Sequence, residues 1–492
     1  MTPHLSRLLV AAALLLGVAG NWLLRAEWWR AGFLLWVLGV IGVAVVASRQ
    51  LASPEPSARR ERYMLFASVA VLATLLVVRD AAMLFVLDFF ALLVVAALIA
   101  WRAGGRSLAR LEPRDAIVGS VAAAATLFAG APTLALRDTA MGTIRADQRR
   151  ALGSYSVGAL AAAPVLLVVA LLLASADPLF AGMLESAGTM LELSLVGHVL
   201  GSAAAAWIVA GAVRGSLIPM GVGLAASRVQ VRLAFPTVAP LLGGLALLLG
   251  VWISLQVHTL FGGAGYVATT GGVTVSDYAR QGFFELIVIA GIVLAALLIS
   301  DEVLDPAAGR ERRAFRTVGF VLLTFVGAVL VSALFRLGLY LQFFGLTEDR
   351  ALALAVLVWV GAVLSWFGFT VLRDQRGRFA PGVLVVSALW LGALNIANPE
   401  RWIVETNLRR AERGLPFDAP YHAKLSADAL PSLLRGADRL GPERAAAVRA
   451  EISSEWARRA VERADWRSWS VPYVIGARRV RTLTTDPAPA RG

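Results

Sequence analysis

The stretch Ser276-Asp277-Tyr278-Ala279-Arg280-Gln281-Gly282-Phe283-Phe284-Glu285 comes nearest to chemistry in residue type and spacing. If Ser276 caps a helix, Asp277, Gln281 and Glu285 recur at i, i+4 and i+8 and line one face, with Tyr278 and Arg280 beside it. A glycine-rich loop, Phe261-Gly262-Gly263-Ala264-Gly265 through Gly271-Gly272, precedes it and lets the backbone turn tightly. A polar ladder descending from a loop into an apolar helix is what a binding mouth needs, with Asp277, Tyr278, Arg280 and Glu285 as its residues. It is equally what a well-capped helix with an Asp277–Arg280 pair would show. The glycines form no nucleotide fingerprint, because no strand precedes them and no GK[ST] follows.

Two further polar groups stand inside apolar runs. Asp88 lies in the middle of Ala81–Ala100, and His198 lies in Leu193–Val213. A carboxylate at mid-bilayer costs at least about 2.5–3.5 kcal/mol, so Asp88 is expected to face other helices and to be paired, protonated or hydrated. An ion or proton relay and an interhelical packing bond both satisfy that requirement. The chain has no cysteine, which removes disulfides and thiolate chemistry, and no residue pattern calls for a metal or cofactor.

The elements that position these groups are membrane spans. Of 492 residues 58% are apolar and 16% charged, and mean hydropathy is +0.71. Runs of about 17–25 apolar residues recur, enough to cross a hydrocarbon core as helices that satisfy their own backbone. Eleven crossings are expected: Leu8–Leu24, Ala31–Ala47, Tyr63–Val78, Ala81–Ala100, Ser154–Leu173, Leu193–Val213, Thr237–Val257, Gly282–Ile299, Thr317–Leu337, Ala351–Leu372 and Phe379–Ala397. Ile117–Leu136 is alanine- and glycine-rich, contains Pro132 and has arginines on both sides. It reads as a re-entrant or interfacial segment within a cytoplasmic insert, residues 102–150; a twelfth crossing is the alternative. Ser175-Ala176-Asp177-Pro178 starts a further helix, expected to be a connector packed on the bundle, with a helix lying on the outer interface as the alternative.

The net charge is +13, and Lys424 is the only lysine. The arginines sit between apolar runs, so they read as topology anchors beside anionic lipid, with no nucleic-acid partner. Arg49, Arg59, Arg60 and Arg62, then Arg310, Arg312, Arg313 and Arg316, then Arg373, Arg376 and Arg378 mark one side; the intervening loops are poorer. By the positive-inside rule the N-terminus is cytoplasmic.

Residues 1–397 therefore form a transmembrane helical domain, and residues 398–492 a small helical C-terminal region outside the cytoplasm. That region holds 17 basic and 12 acidic residues. Asn398-Pro399-Glu400 is a helix start: Asn caps, Pro fits the first turn, and Glu meets the positive end of the dipole. Helices are expected to Arg413, around Ala427–Leu440 and over Pro442–Asp465, followed by a disordered basic tail with Arg478, Arg479 and Arg481.

Ser175–Phe180 (SADPLF), Phe261–Leu286 with DYARQGFFEL, Ala393–Arg409 (ALNIANPERWIVETNLR) and Phe417–Leu434 (FDAPYHAKLSADALPSLL) together resemble a bacterial membrane-protein family. It is known only as domains of unknown function, the four-one-five-three and four-one-seven-three types. The resemblance implies a multi-pass protein of a bacterial inner membrane and brings no activity and no catalytic residue. Some relatives carry a sensor-kinase label, which this chain does not support: it has no glycine-rich ATP box and no phosphoacceptor helix.

Three classes of function fit this frame. Transport or channel activity comes first and draws on Asp88, His198 and Glu285. A non-catalytic envelope sensor or scaffold would bind an envelope protein or a small ligand at the outer face. A polyprenyl-sugar-type transferase fits least, since the first outer loop, Arg25–Arg30, has Glu27 as its sole carboxylate. An enzyme is the weakest of the three readings.

Overall fold

In the computed structural model, the described residues are 2–26, 29–50, 56–104, scattered positions of 107–139, 195–218, 235–261, 283–304 and 309–485. Among them the chain is helical throughout, and no strand occurs. The protein is an all-α polytopic helical bundle. Nine of the described helices are long and apolar enough to cross a membrane. Their surfaces explain why: Leu14, Leu15 and Val18 on one span and Leu389 and Ile396 on another are exposed, and such stripes belong against lipid.

The chain divides into two compact units, Met1–Leu108 with Arg114–Ala225 and Ser454–Gly492, and Ala109–Pro113 with Ala226–Ser453.

The first unit contains α1 (Pro3–Leu23), α2 (Arg30–Gln50), α3 (Pro56–Val78), α4 (Ala82–Ala103) and α5 (Leu195–Leu217). Thr2 caps α1 by accepting from the Leu5 amide, and Pro3 fills the first turn. Helices α1 and α5 pack through small residues: a Cβ on Gly17 would fall 2.5 Å from the Ser202 carbonyl oxygen and from Ala206 Cβ. Such close approach is what joins helices in lipid, where burial itself drives nothing. Leu9, Ala13, Phe33, Trp36, Ala73, Leu76 and Val209 fill the core. Ion pairs Arg102–Glu61 (2.5 Å) and Arg214–Asp138 (2.7 Å) lie at helix ends.

The second unit contains α6 (Phe235–Phe261), α7 (Phe283–Val303), α8 (Gly309–Phe344), α9 (Glu348–Thr370) and α10 (Phe379–Ala397). Leu242, Val293, Leu297, Leu322, Val326, Leu357 and Phe367 form its core. Helix α8 has 36 residues, about 54 Å at 1.5 Å per residue, so it outruns a hydrocarbon core of about 30 Å. The sequence ends that span at Leu337; the helix continues to Phe344. Several arginines read as lipid anchors have protein partners: Arg312 and Arg376 each lie 3.4 Å from Asp301, and Arg316 pairs with Asp374.

The C-terminal helices are α11 (Pro399–Glu412), α12 (Ala419–Lys424), α13 (Leu430–Ala437), α14 (Pro442–Glu462) and α15 (Val471–Thr485). Asn398, at φ +52°, accepts from the Arg401 amide and starts α11 as its sequence dictates. Arg478, Arg479 and Arg481 lie on α15 and not in a disordered tail; only residues beyond Thr485 fall outside the description. The expected crossing Ser154–Leu173, the Ser175–Pro178 helix start and most of Ile117–Leu136 also lie outside the described residues.

Candidate functional site

Polar chemistry in the first unit gathers at the short link between α3 and α4. Asp80 there is 2% exposed. One of its oxygens, Oδ1, receives Arg463 Nη1 and Ser470 Oγ, both at 2.8 Å, with Arg30 Nε at 3.4 Å. Arg30 also ties the link's backbone, donating to the carbonyls of Leu76 and Arg79 at 2.9 Å and of Asp80 at 2.8 Å. Its guanidinium sits 4.9 Å above the Phe85 ring. Burial alone would push the Asp80 carboxyl up, but Arg463, Arg30 and the Ser470 hydroxyl hold it below the usual carboxylate range. The residues after Arg463 lie over the C-terminal end of α1: Arg467 donates to the Trp22 carbonyl, and Trp466 packs on Trp22 at 5.9 Å. Tyr473 stacks on Trp456 at 5.8 Å. Two guanidiniums and a hydroxyl engage this carboxylate. It is a lock that fastens residues 463–473 to the ends of the spans.

The second unit has a buried carboxyl of the opposite kind. Glu400, in the first turn of α11, is 2% exposed. Its Oε2 accepts from Ser426 Oγ at 2.5 Å, and among the described residues no donor reaches Oε1. Its charged neighbours are carboxylates, Glu348 and Asp428. Burial pushes the Glu400 carboxyl up to about 8; the Ser426 bond opposes this, and Glu348 and Asp428 add to it. Burial, and then Asp349, push the Glu348 carboxyl up as well. Beside them the Tyr421 hydroxyl accepts from the Glu348 amide at 3.1 Å, and burial pushes that phenol up to about 12. His422 accepts from Asn407 Nδ2 at Nε2, 2.9 Å, and donates from Nδ1 to the Asp418 carbonyl at 2.6 Å; burial holds its pKa below the usual imidazole value.

Asn407 and Arg410 join this cluster to the end of α8. Asn407 accepts from the Leu346 amide at 2.9 Å and donates to the Leu346 carbonyl at 2.7 Å. Arg410 donates to the carbonyls of Leu341, Gln342 and Phe343, and Arg350 to those of Phe344 and Gly345. Two guanidiniums thus satisfy the orphan carbonyls and the negative dipole end of α8. The chain turns there at Gly345, φ +76°, where a side chain would strain the backbone and collide with Asn407.

Between α11 and α13 lies a cleft of about 290 Å³ lined by Glu405, Arg409, Ser432, Arg435 and Arg439. Glu405 is paired with Arg401 at 2.8 Å, and Arg439 with Glu412 at 3.1 Å.

Of the residues singled out in the sequence, Asp277, Tyr278 and Arg280 lie outside the described residues. Glu285 is in the first turn of α7, and its side chain is not described. Asp88 faces the interior of the first unit with 0% exposure. His198 is near the start of α5; its ring nitrogens lie 3.2 Å from Asn21 Nδ2 and 3.2 Å from Arg25 Nη1. Asp80 and Asn407 escaped sequence reading. Asp80 stands in a link between helices and Asn407 within the polar helix α11, places where polar residues are ordinary, so no spacing marks them. Glu400 was read as a dipole partner, and its carboxylate neighbours become visible only once α9, α11 and residues 426–428 are brought together.

No curated protein and no solved structure matches this chain. One family model does, over residues 66–436, which is three quarters of the chain and includes all four motifs named above. The chain belongs to the family of the domain of unknown function DUF4153.

Proposed function

We propose that this protein is a receptor or scaffold of a bacterial inner membrane, with its working surface on the C-terminal helices at the outer face. The observation that carries the reading is the way those helices are fastened to span ends within each unit. Asp80 joins Arg30 to Arg463 and Ser470 in the first, and Asn407 and Arg410 clasp the last turn of α8 in the second. Buried, hydrogen-bonded locks hold a surface in fixed relation to the membrane, as a platform for partners requires. The arginine alternation supports an inside N-terminus. Residues 463–473 meet the far end of α1 from Pro3, which supports a C-terminus on the opposite side.

Transport is the second reading, favoured by Asp88, a fully buried carboxyl within the span α4. Complementation of a deletion strain separates the two. On the platform reading, Asp88→Asn restores the phenotype fully, whereas Asn407→Ala, which unclasps α11, fails although the protein still inserts. Failure of Asp88→Asn at unchanged melting temperature, with Asn407→Ala active, would reverse the assignment in favour of transport.

A further inference from the structure

We propose that the cleft between α11 and α13 binds a phosphate group, presented either by an anionic lipid headgroup or by a free phosphate ligand. Three of its five lining side chains are guanidiniums, and one is a carboxylate. Glu405 is neutralised by Arg401 and Arg439 by Glu412. Arg409 and Arg435 make no ion pair among the described residues. Both are exposed, and Ser432, 4% exposed, lines the same cleft. Two uncommitted forks and a hydroxyl are the donor set that phosphate oxygens take, since a guanidinium offers paired N–H groups at the spacing of two oxygens.

Arg409 is in the last turn of α11 and Arg435 in the last turn of α13, where a cation suits the helix dipole. That accounts for each arginine singly. It does not account for their convergence, with Arg439, on one concavity whose volume is near the lower bound of small-ligand sites, about 300 Å³. Location favours a headgroup as readily as a soluble phosphate. Helix α11 begins one residue after the span α10, and its Arg410 reaches the last carbonyls of α8, so it lies at the ends of two spans, the side on which lipid headgroups stand.

The cleft gives the proposed platform a ligand, and its test is made on purified protein, so it can fail while the complementation result stands, and the reverse. Full-length protein in uncharged detergent is titrated with inorganic phosphate against chloride at matched ionic strength, with melting temperature as readout. In parallel, the protein is placed in nanodiscs of phosphatidylcholine with and without phosphatidylglycerol, and retained phosphatidylglycerol is quantified after extraction. The Arg409→Gln/Arg435→Gln double variant is expected to lose at least tenfold in apparent affinity in one arm. Arg449→Gln, which removes an exposed arginine paired with Asp438 outside the cleft, should bind like the parent. Saturation by phosphate alone identifies a soluble ligand; retention of phosphatidylglycerol alone identifies the headgroup. If the double variant fails to fold, Arg409→Lys/Arg435→Lys keeps the charge and loses the forks, with a several-fold loss expected. No saturable binding of either probe, or equal binding by parent and the folded variant, overturns the proposal.

Discussion

Asp80 and Glu400 are both 2% exposed, yet burial leaves one ionised and makes the other a weak acid. Desolvation acts in the same direction on both. What differs is the company: two guanidiniums and a hydroxyl at Asp80, against two carboxylates and a hydroxyl at Glu400. At Asp80 the charged partners outweigh desolvation, so the ionised form persists and draws residues 463–473 onto the spans. At Glu400 the neighbours reinforce desolvation, so the proton stays and the site tolerates the adjacent Glu348. A buried carboxyl in this protein is therefore a lock or a titrating group according to the sign of its neighbours.

The largest effect is expected from breaking the lock. Arg463→Ala takes one guanidinium from the buried Asp80, and removing one member of a buried pair costs about 3–5 kcal/mol. In detergent the variant should unfold at lower denaturant, and limited proteolysis should cut between residues 463 and 485 before the spans are attacked. Arg463→Ala with parental stability and protection would mean that Asp80 holds nothing in place.

The pH dependence distinguishes the two centres next. Glu400 has a folded pKa of about 8, above the ordinary glutamate value of 4.5, so between those values the folded state binds more protons than the unfolded one. Stability is then full below about pH 4.5, falls as pH rises through the window and levels off above about pH 8, a loss on the order of a few kcal/mol. Asp80 has the opposite sign. Its folded pKa lies below the ordinary 3.8, so its contribution is present above that value and is lost only as pH falls beneath it. Glu400→Gln should flatten the stability profile between pH 5 and 8.5 while leaving the acid limb intact. A slope that survives the substitution would assign it to another group.

This contrast also measures what the sequence could tell. The spans were legible because hydropathy is local: each run carries its own evidence, and nine described helices follow it. The α11 start was legible for the same reason, since Asn398, Pro399 and Glu400 act within one turn. The Asp80 lock was not, because its partners stand 50 residues before and 383 and 390 after it. The Glu400 centre depends on Glu348 and Ser426, 52 residues before and 26 after. Pairings over such separations leave no periodicity. The outer ladder Asp277–Glu285 rests on spacing alone, and of it only the helix carrying Glu285 is described.

The smallest effect, and the sharpest contrast, comes from the two serines. Ser426 donates to Glu400 Oε2 and Ser470 to Asp80 Oδ1, so each hydroxyl serves a buried carboxyl. A hydrogen bond to a neutral acceptor is worth about 0.5–1.5 kcal/mol and one to a charged group about 1.5–3 kcal/mol. Glu400 changes from the first kind to the second as pH rises through its pKa. Ser426→Ala should therefore cost about 1 kcal/mol at pH 5 and about 1 kcal/mol more at pH 9, and the Glu400 midpoint should move upward because its ionised form has lost a donor. Asp80 is ionised throughout that range, so Ser470→Ala should cost the same amount at both values. Parallel denaturant melts of the two variants at pH 5 and pH 9 give the four numbers. Equal pH dependence in both variants would show that Ser426 does not report on Glu400, and that the two centres do not differ in charge as their neighbours require.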